Sequence, residues 1–337
     1  MTFKDFISKY EGQTIYIQTH NFPDPDALGS ALGLKTLCKH FGVDSILCYD
    51  GKIDKLSTRR ILTVFNMEIY AKDEVPGLNE ESKIILVDTQ KEAGNVTDFI
   101  GDEIACIDHH PTIKEIEYEY KDVQIVGACA SIIALYFKEL GITPDSVTAT
   151  ALLYGIKMDT NQFQRGVKNE DIEAFGFLNP LIDDQLMTDV STNTMEFMDL
   201  TAFSASLNTI KVYGDVGIAH IPFSCPEGLI ARISDFLLAL EEVKVAYVYS
   251  KREVGWKFSG RSEIADVDVG EVLHQVLTPM GGNGGGHSCM AGGFLPIAAI
   301  EFYGVNADHV ICNHLLETTT KLRKAEYQKS GEANSRL

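Results

Sequence analysis

Eight side chains able to bind a divalent cation or move a proton fall in four short stretches of the chain. Thr19–Ser30 (THNFPDPDALGS) carries His20, Asp24 and Asp26, and Leu86–Gln90 (LVDTQ) carries Asp88. Cys106–Pro111 (CIDHHP) carries Asp108, His109 and His110, and Gly155–Phe163 (GIKMDTNQF) carries Asp159. Each stretch follows an apolar, strand-like run, and His20, Asp88 and Asp108 are expected at the C-terminal ends of strands. So many carboxylates and imidazoles in one cleft raise each other's pKa and cost stability unless a cation neutralises them. The set therefore predicts metal, with two divalent ions as the expected count. Taken singly, each acid has a plainer reading. Asp24 or Asp26 would serve as a helix N-cap, and Asp88 as a cap or turn residue. Pro23 and Pro25 stiffen the first turn, so that His20 and Asp24 can face one ion and Asp26 the other.

A fifth stretch, Gly281–Gly293 (GGNGGGHSCMAGG), offers different chemistry. Around Gly284, Gly285 and Gly286 backbone amides can approach an anion, and Asn283 and His287 add donors. The alternative is a flexible turn. Arg261, in SGRS, is a candidate bidentate phosphate ligand. Arg165 reads equally well as a surface ion pair.

The elements that would position these residues follow from periodicity. Thr14–His20, Ser45–Tyr49, Lys83–Asp88 and Ile104–Asp108 read as strands, whereas Pro25–Phe41, Cys129–Leu140 and Ser146–Ile156 read as helices. Alternating strands and helices predict right-handed βαβ units around a mainly parallel sheet, with ligands beyond the carboxyl ends of its strands. The pattern then changes. Thr209–Tyr213 and Val216–Ile221 read as a hairpin through Gly214–Asp215, followed by a helix at Pro226–Leu240, strands at Val243–Tyr249 and Val254–Ser259, and a helix at Asp268–Leu277. The fold class expected is α/β: a metal-site domain over 1–184, a linker over 185–205, and a smaller α/β domain with a mixed sheet over 206–316. The active site is expected in the cleft between the domains. Residues 317–337 read as a polar tail, with about the last ten unstructured.

Composition narrows the function classes. Of 337 residues, 45% are apolar and 23% charged, the balance of an ordinary soluble globular protein. Lys and Arg number 29 against 48 Asp and Glu, a net charge of −19. Such a surface repels long polyanions, so no long duplex nucleic acid is expected as partner. Seven scattered cysteines without a CxxC pair argue for reduced thiols and a cytoplasmic location. MTFKDFISKYEG lacks the apolar core of a secretory signal, and no run is long and apolar enough to cross a bilayer, so no membrane partner is expected.

In this order, HNFPDPDALGS, VDT, DHH and MDT resemble the four motifs of the DHH phosphoesterase superfamily. FSGRSE (Phe258–Glu263) and GGNGGGH resemble the DHH-associated C-terminal domain of its subgroup of nanoRNases, pAp phosphatases, dinucleotide phosphodiesterases and RecJ-type exonucleases. The resemblance spans roughly residues 10 to 316. It implies one ion held by His20, Asp24 and Asp88, and a second by Asp26, Asp88, His109 and Asp159, with Asp88 bridging. It implies Mn²⁺ as the occupant, with Mg²⁺ or Co²⁺ as substitutes, which suits oxygen-dominated ligands without thiolate. His110 is implied to face the substrate phosphate, and Asp108 to orient a histidine ring. Met158 departs from the Thr that many relatives carry before Asp-Thr. This puts substrate preference in question, not the metal ligands.

The implied activity is hydrolysis of small nucleotides, such as short oligoribonucleotides or linear dinucleotides, by a metal-activated water. A pAp-type phosphatase or short-chain exopolyphosphatase is the alternative within the class. A non-catalytic nucleotide-binding protein is the alternative outside it. The length argues against the added nucleic-acid-binding domains of RecJ-type enzymes. A homodimer is an option that the sequence leaves open.

Overall fold

The computed structural model describes residues 1–53, 56–192 and 194–334, with the backbone alone for 324–334. The chain divides into two compact units, Met1–Met195 and Glu196–Leu337.

The first unit is built on six strands: β1 (Thr14–Gln18), β2 (Asp44–Tyr49), β3 (Tyr70–Ala71), β4 (Lys83–Val87), β5 (Asp102–Asp108) and β6 (Tyr120–Val123). Every pairing is parallel, in the order β3-β2-β1-β4-β5-β6. This is a doubly wound order, whose direction reverses between β1 and β4. Strands such as β1 and β4 are apolar on both faces because both faces are covered, as parallel sheets require. Seven helices accompany the sheet: α1 (Phe3–Ile7), α2 (Pro25–His40), α3 (Leu56–Val64), α4 (Cys129–Glu139), α5 (Ser146–Asp159), α6 (Asn169–Leu178) and α7 (Asp184–Ser191).

The contact between α2 and α5 positions the site. The two helices run antiparallel at very short range. A Cβ on Gly29 would lie 2.6 Å from the Ala151 carbonyl oxygen, and one on Gly155 would lie 3.1 Å from the Asp26 Cα. Only glycine permits that approach. It brings the start of α2, with Asp24 and Asp26, against the end of α5, with Asp159. Asp159 therefore stands at the C-terminus of a helix, the one read from the sequence at Ser146–Ile156 and extended here by three residues. Burial between α2 and α4 makes α5 apolar on nearly all sides.

The second unit holds α8 (Asp199–Thr209), β7 (Lys211–Tyr213), β8 (Val216–Ile221), α9 (Glu227–Leu237), β9 (Val245–Arg252), β10 (Gly255–Ser262), α10 (Val269–Leu277), β11 (Asn283–Gly286), β12 (Met290–Pro296), α11 (Ile297–Tyr303) and α12 (Ala307–Asn334). Its sheet has the order β11-β12-β10-β9-β8-β7, with β8 and β9 parallel and the other neighbours antiparallel. One core joins α9 to the sheet through Ile230, Ile233 and Leu237. Another joins α10 and α12 through Leu273, Leu277, Ile311 and Leu315.

Two expectations are corrected here. The glycine run is neither loop nor turn: Asn283–Gly286 is an edge strand paired with β12. Its glycines make room for α10, since a Cβ on Gly284 would lie 2.5 Å from the Leu273 carbonyl oxygen. The polar tail is not a tail either. Helix α12 carries through to Asn334, and Thr319 within it is buried. The Thr319 hydroxyl donates to the Leu315 carbonyl and pairs with the Tyr247 hydroxyl, which makes a polar helix face compatible with burial. Of the segment expected to be unstructured, residues 335–337 lie outside the described residues. Among the described residues no helix is long and apolar enough to cross a membrane.

Candidate metal centre

The eight residues singled out at the start of the chain come together at the carboxyl ends of β1, β4 and β5, where the strand order reverses. Asp88 is at the centre. It is buried, ends β4 and has a left-handed backbone, φ 60°, a region that Asp tolerates better than most residues. Its Oδ2 lies 3.5 Å from His20 Nε2, and its Oδ1 lies 3.3 Å from His109 Nε2. Oδ1 is buried with no hydrogen-bond partner. An orphaned carboxylate oxygen in the interior is costly, and a cation beside it would supply what it lacks.

Around Asp88 the donors fall into overlapping groups in which all ligand atoms lie within 4.8 Å of one another: His20, Asp24 and Asp88; Asp26, His109 and Asp159; and Asp88, His109 and His110. Both buried histidines present the nitrogen a metal needs. His20 Nδ1 lies 2.8 Å from the Asn21 carbonyl oxygen, and His109 Nδ1 lies 3.2 Å from that of Val126. A carbonyl oxygen only accepts, so Nδ1 carries a proton and Nε2 is the nitrogen that faces the carboxylates and would be offered to a metal. Carboxylates and imidazoles without thiolate, with one imidazole in each of the first two groups, suit a hard or borderline divalent cation. The residues fit such ions.

Two of the acids also cap helices, so the structural and the metal reading hold together. Asp24 Oδ1 accepts from the amides of Asp26 and Ala27 at the start of α2. Asp26 reaches across to α4, whose N-cap residue Ala128 offers no side-chain acceptor. Its Oδ2 accepts from Cys129 N at 2.7 Å, and its Oδ1 from Ala130 N at 2.9 Å. The amides at the helix start fix the carboxylate and favour its charge.

Asp108 works on His110. Its Oδ1 accepts from His110 Nδ1 at 2.9 Å and from the His109 amide, and its Oδ2 accepts from Gln90 Nε2 at 2.7 Å. With Nδ1 held, His110 Nε2 is the free nitrogen of a ring that is 40% exposed. The rings of His109 and His110 are 4.2 Å apart and tilted by 59°.

Electrostatics explain why cations suit the cluster. Burial pushes the Asp159 carboxyl up, Asp24 and Asp88 add repulsion, and the net result is about 7. Burial, then Asp88 and Asp159, raise Asp26 well above the ordinary carboxylate range. For His109 burial disfavours the charged ring, but Asp88, with Asp26 and Asp159 behind it, outweighs this and pushes it up to about 11. Burial likewise opposes the ionisation of Asp88, yet its contacts with His109 and His20 hold the carboxyl well below its usual value. Without a cation, protons must balance these charges.

Sequence reasoning missed the supports. Gln90 lies inside the LVDTQ stretch and ties Asp108 to the His110 carbonyl. Its signal was a buried amide two residues after Asp88. Asp171 on α6 is fully buried and accepts from Gly127 N, Lys168 N and Ser131 Oγ. It thereby holds the segment whose Val126 carbonyl fixes His109 and whose Cys129 and Ala130 amides fix Asp26. Only its bond to Lys168 N, at the start of α6, is local; the two that tie it to the site lie 40 and 44 positions away.

The residues singled out in the second unit lie on and beside β12, with Arg261, Gly286 and His287 near its start and Asn283 opposite Phe294. Arg261 on β10 pairs in register with Met290, and Gly286 on β11 with Ala291, so the two flank the start of β12. His287 follows in the exposed turn to β12. Arg261 Nε donates to Asp235 Oδ1 at 2.6 Å, and Nη1 to Ser259 Oγ and the Gly260 carbonyl. Gly284, Gly285 and Asn283 lie on the edge strand itself.

Comparison with known proteins shows the family and the fold. Residues 14–156 match the DHH family, N-terminal domain, and residues 214–302 match the DHHA1 domain. An exopolyphosphatase-related protein from Bacteroides fragilis has the same fold, with a TM-score of 0.74 at 18% identity, over 95% of this chain and 96% of that one. The chain belongs to the DHH phosphoesterase superfamily. It is 30% identical over 293 residues to an uncharacterized protein of Methanocaldococcus jannaschii, covering 85% of this chain and 59% of that protein. It is 25% identical over 321 residues to the bifunctional oligoribonuclease and PAP phosphatase NrnA of Thermus thermophilus, covering 93% of this chain and 91% of that protein. The chain spans about half the length of the first curated relatives it matches.

Proposed function

We propose that the protein is a divalent-metal-dependent phosphoesterase that hydrolyses small nucleotides, short oligoribonucleotides or linear dinucleotides, with two Mn²⁺ as the native occupants and a cytoplasmic place of work. The observation that carries the proposal is the orphaned Oδ1 of buried Asp88 between two histidine nitrogens and three further carboxylates. Similarity to an oligoribonuclease and PAP phosphatase over nearly the whole of both chains supports the substrate class.

His20, Asp24 and Asp88 would hold one ion, and Asp26, Asp88, His109 and Asp159 the other, with Asp88 common to both sets. When bound, such ions acidify a water and neutralise charge on phosphoryl oxygens. The chain's own residues do the rest. The amides at the start of α4 keep Asp26 aimed, and the carbonyls of Asn21 and Val126 keep both histidine ligands in the one useful tautomer. Asp108 holds His110 by Nδ1, so that Nε2–H can donate to a phosphoryl oxygen or to the leaving oxygen. Burial alone would favour the neutral ring, but Asp108 outweighs it and raises His110 above its ordinary value, which favours the donor form. In the second unit, Arg261, Asn283, His287 and the amides of Gly284–Gly286 are the proposed phosphate-binding groups.

The test is turnover of pApA, pGpG, short oligonucleotides, pAp, cyclic dinucleotides and polyphosphate with Mn²⁺ present. Highest kcat/KM on dinucleotides or short oligonucleotides supports the proposal. A preference for pAp or polyphosphate moves the protein to the phosphatase or exopolyphosphatase reading. No turnover despite bound metal makes it a binding protein.

A further inference from the structure

We propose that Phe22 is a stacking platform for a nucleobase of the substrate. This rests on the reading of the site as one for nucleotides. Phe22 stands two residues after His20 and two before Asp24, so its Cα lies within about 7–8 Å of theirs by chain geometry. Its side chain is 64% exposed, and it is the only exposed aromatic among the described residues of the first unit. It joins no hydrophobic cluster of that unit. Burial therefore does not account for a phenylalanine here.

The backbone makes the choice stranger. Phe22 has φ 58°, a left-handed conformation that a bulky side chain adopts only when its surroundings impose it. The surroundings do so. Phe22 N donates to the Asp50 carbonyl at 3.0 Å, and Asn21 N to the Asn95 carbonyl at 2.7 Å. The Asn21 side chain and Thr97 exchange two hydrogen bonds, and Thr97 Oγ1 donates to Asp50 Oδ2 at 2.6 Å. The ring lies over Gly51, where a Cβ would come within 2.8 Å of it. A small polar residue would satisfy this turn with less strain. What the phenylalanine adds is an exposed apolar ring, set against Gly51, two residues from each of two proposed metal ligands. A phosphate held at Asp88 carries its ribose and base to about that distance. Every base has a π-face, so one ring can serve bases of any identity, as a short-oligonucleotide enzyme requires.

The experiment uses a non-hydrolysable dinucleotide with 2-aminopurine as one base, whose fluorescence falls on stacking, and its abasic counterpart, both titrated into metal-loaded protein. The wild type and Phe22→Trp should quench and bind alike. Phe22→Ala should lose the quench and bind about 5- to 100-fold more weakly, the usual weight of one stacked base. The abasic compound should bind all variants equally. Phe22→Gly, which relaxes the left-handed backbone, should keep or raise the melting temperature while losing the quench. Unchanged quench and affinity in Phe22→Ala would overturn the proposal. So would equal weakening towards the abasic compound, which would mark a structural role. If the wild type binds neither compound, the nucleotide reading itself fails and takes this one with it.

Discussion

Asp108 Oδ1 lies 2.9 Å from His110 Nδ1, and Gln90 holds the other carboxylate oxygen. This pair sets both the direction and the charge of His110. His110→Ala should keep its metal and lose turnover by about 10²-fold or more. Asp108→Asn should lower the pKa of the ring, so the alkaline limb of the kcat profile moves to lower pH. Equal metal loss in the His110→Ala and His109→Ala proteins would contradict the division of labour between the two rings.

Asp88 is predicted to be shared by both ions. Asp88→Ala should abolish turnover and sharply weaken binding of both metals. Two tightly bound Mn²⁺ per chain in that variant, measured by elemental analysis after dialysis, would refute the sharing.

The pH dependence of the metal-free protein follows from two groups. His109 is raised from 6.5 to about 11, so its stabilising contribution is complete below 6.5 and is lost as pH rises towards 11. Asp159 is raised from 3.8 to about 7, so its carboxyl becomes a growing burden as pH rises from 3.8 to 7. Both act in the same direction. The melting temperature of metal-free protein should fall between pH 6 and pH 9, and saturating Mn²⁺ should flatten the curve. Calorimetry in buffers of different ionisation heat should show protons released as metal binds, because cation and protons compete for the same groups. A metal-free melting temperature that rises across this range would count against the assigned shifts.

Asp171 touches no ligand, yet it should matter to metal. Asp171→Ala leaves Gly127 N, Lys168 N and the Ser131 hydroxyl without their acceptor in the interior. A loss of about 2–5 kcal/mol in stability is expected. Metal affinity should fall about 10- to 100-fold, the usual scale for a residue that orients ligands. Denaturant titration and metal titration together read the two effects, and unchanged metal affinity in the folded fraction would limit Asp171 to stability.

Substrate length is the remaining test of class. The net charge of −19 opposes an extended polyanion, so kcat/KM should be highest for two to five nucleotides and poor for a strand of about 25. Arg261→Ala should raise KM more than it lowers kcat on dinucleotides. A kcat/KM that climbs steadily with length would point to a processive exonuclease.

By itself the sequence determined the chemistry and the frame. Acids and imidazoles at the ends of apolar runs named all the donors at the site, because a buried charge without a partner is rarely tolerated. Strand and helix periodicities delimited β1, β4, β5, α2 and α4 to within a few residues, since those patterns are local. Tertiary structure decided what depends on distant partners. The strand order placed His20 beside Asp88, and the Gly29–Ala151 approach brought the end of α5 to the start of α2. Asp26 serves α4, a helix more than 100 residues away in sequence, and the Val126 carbonyl chooses the tautomer of His109. The glycine run became a strand because α10 packs on it, and the polar tail became a helix because Tyr247 receives Thr319. Each of these outcomes depends on a hydrogen bond or a close approach between residues far apart in the chain, and no local period encodes that.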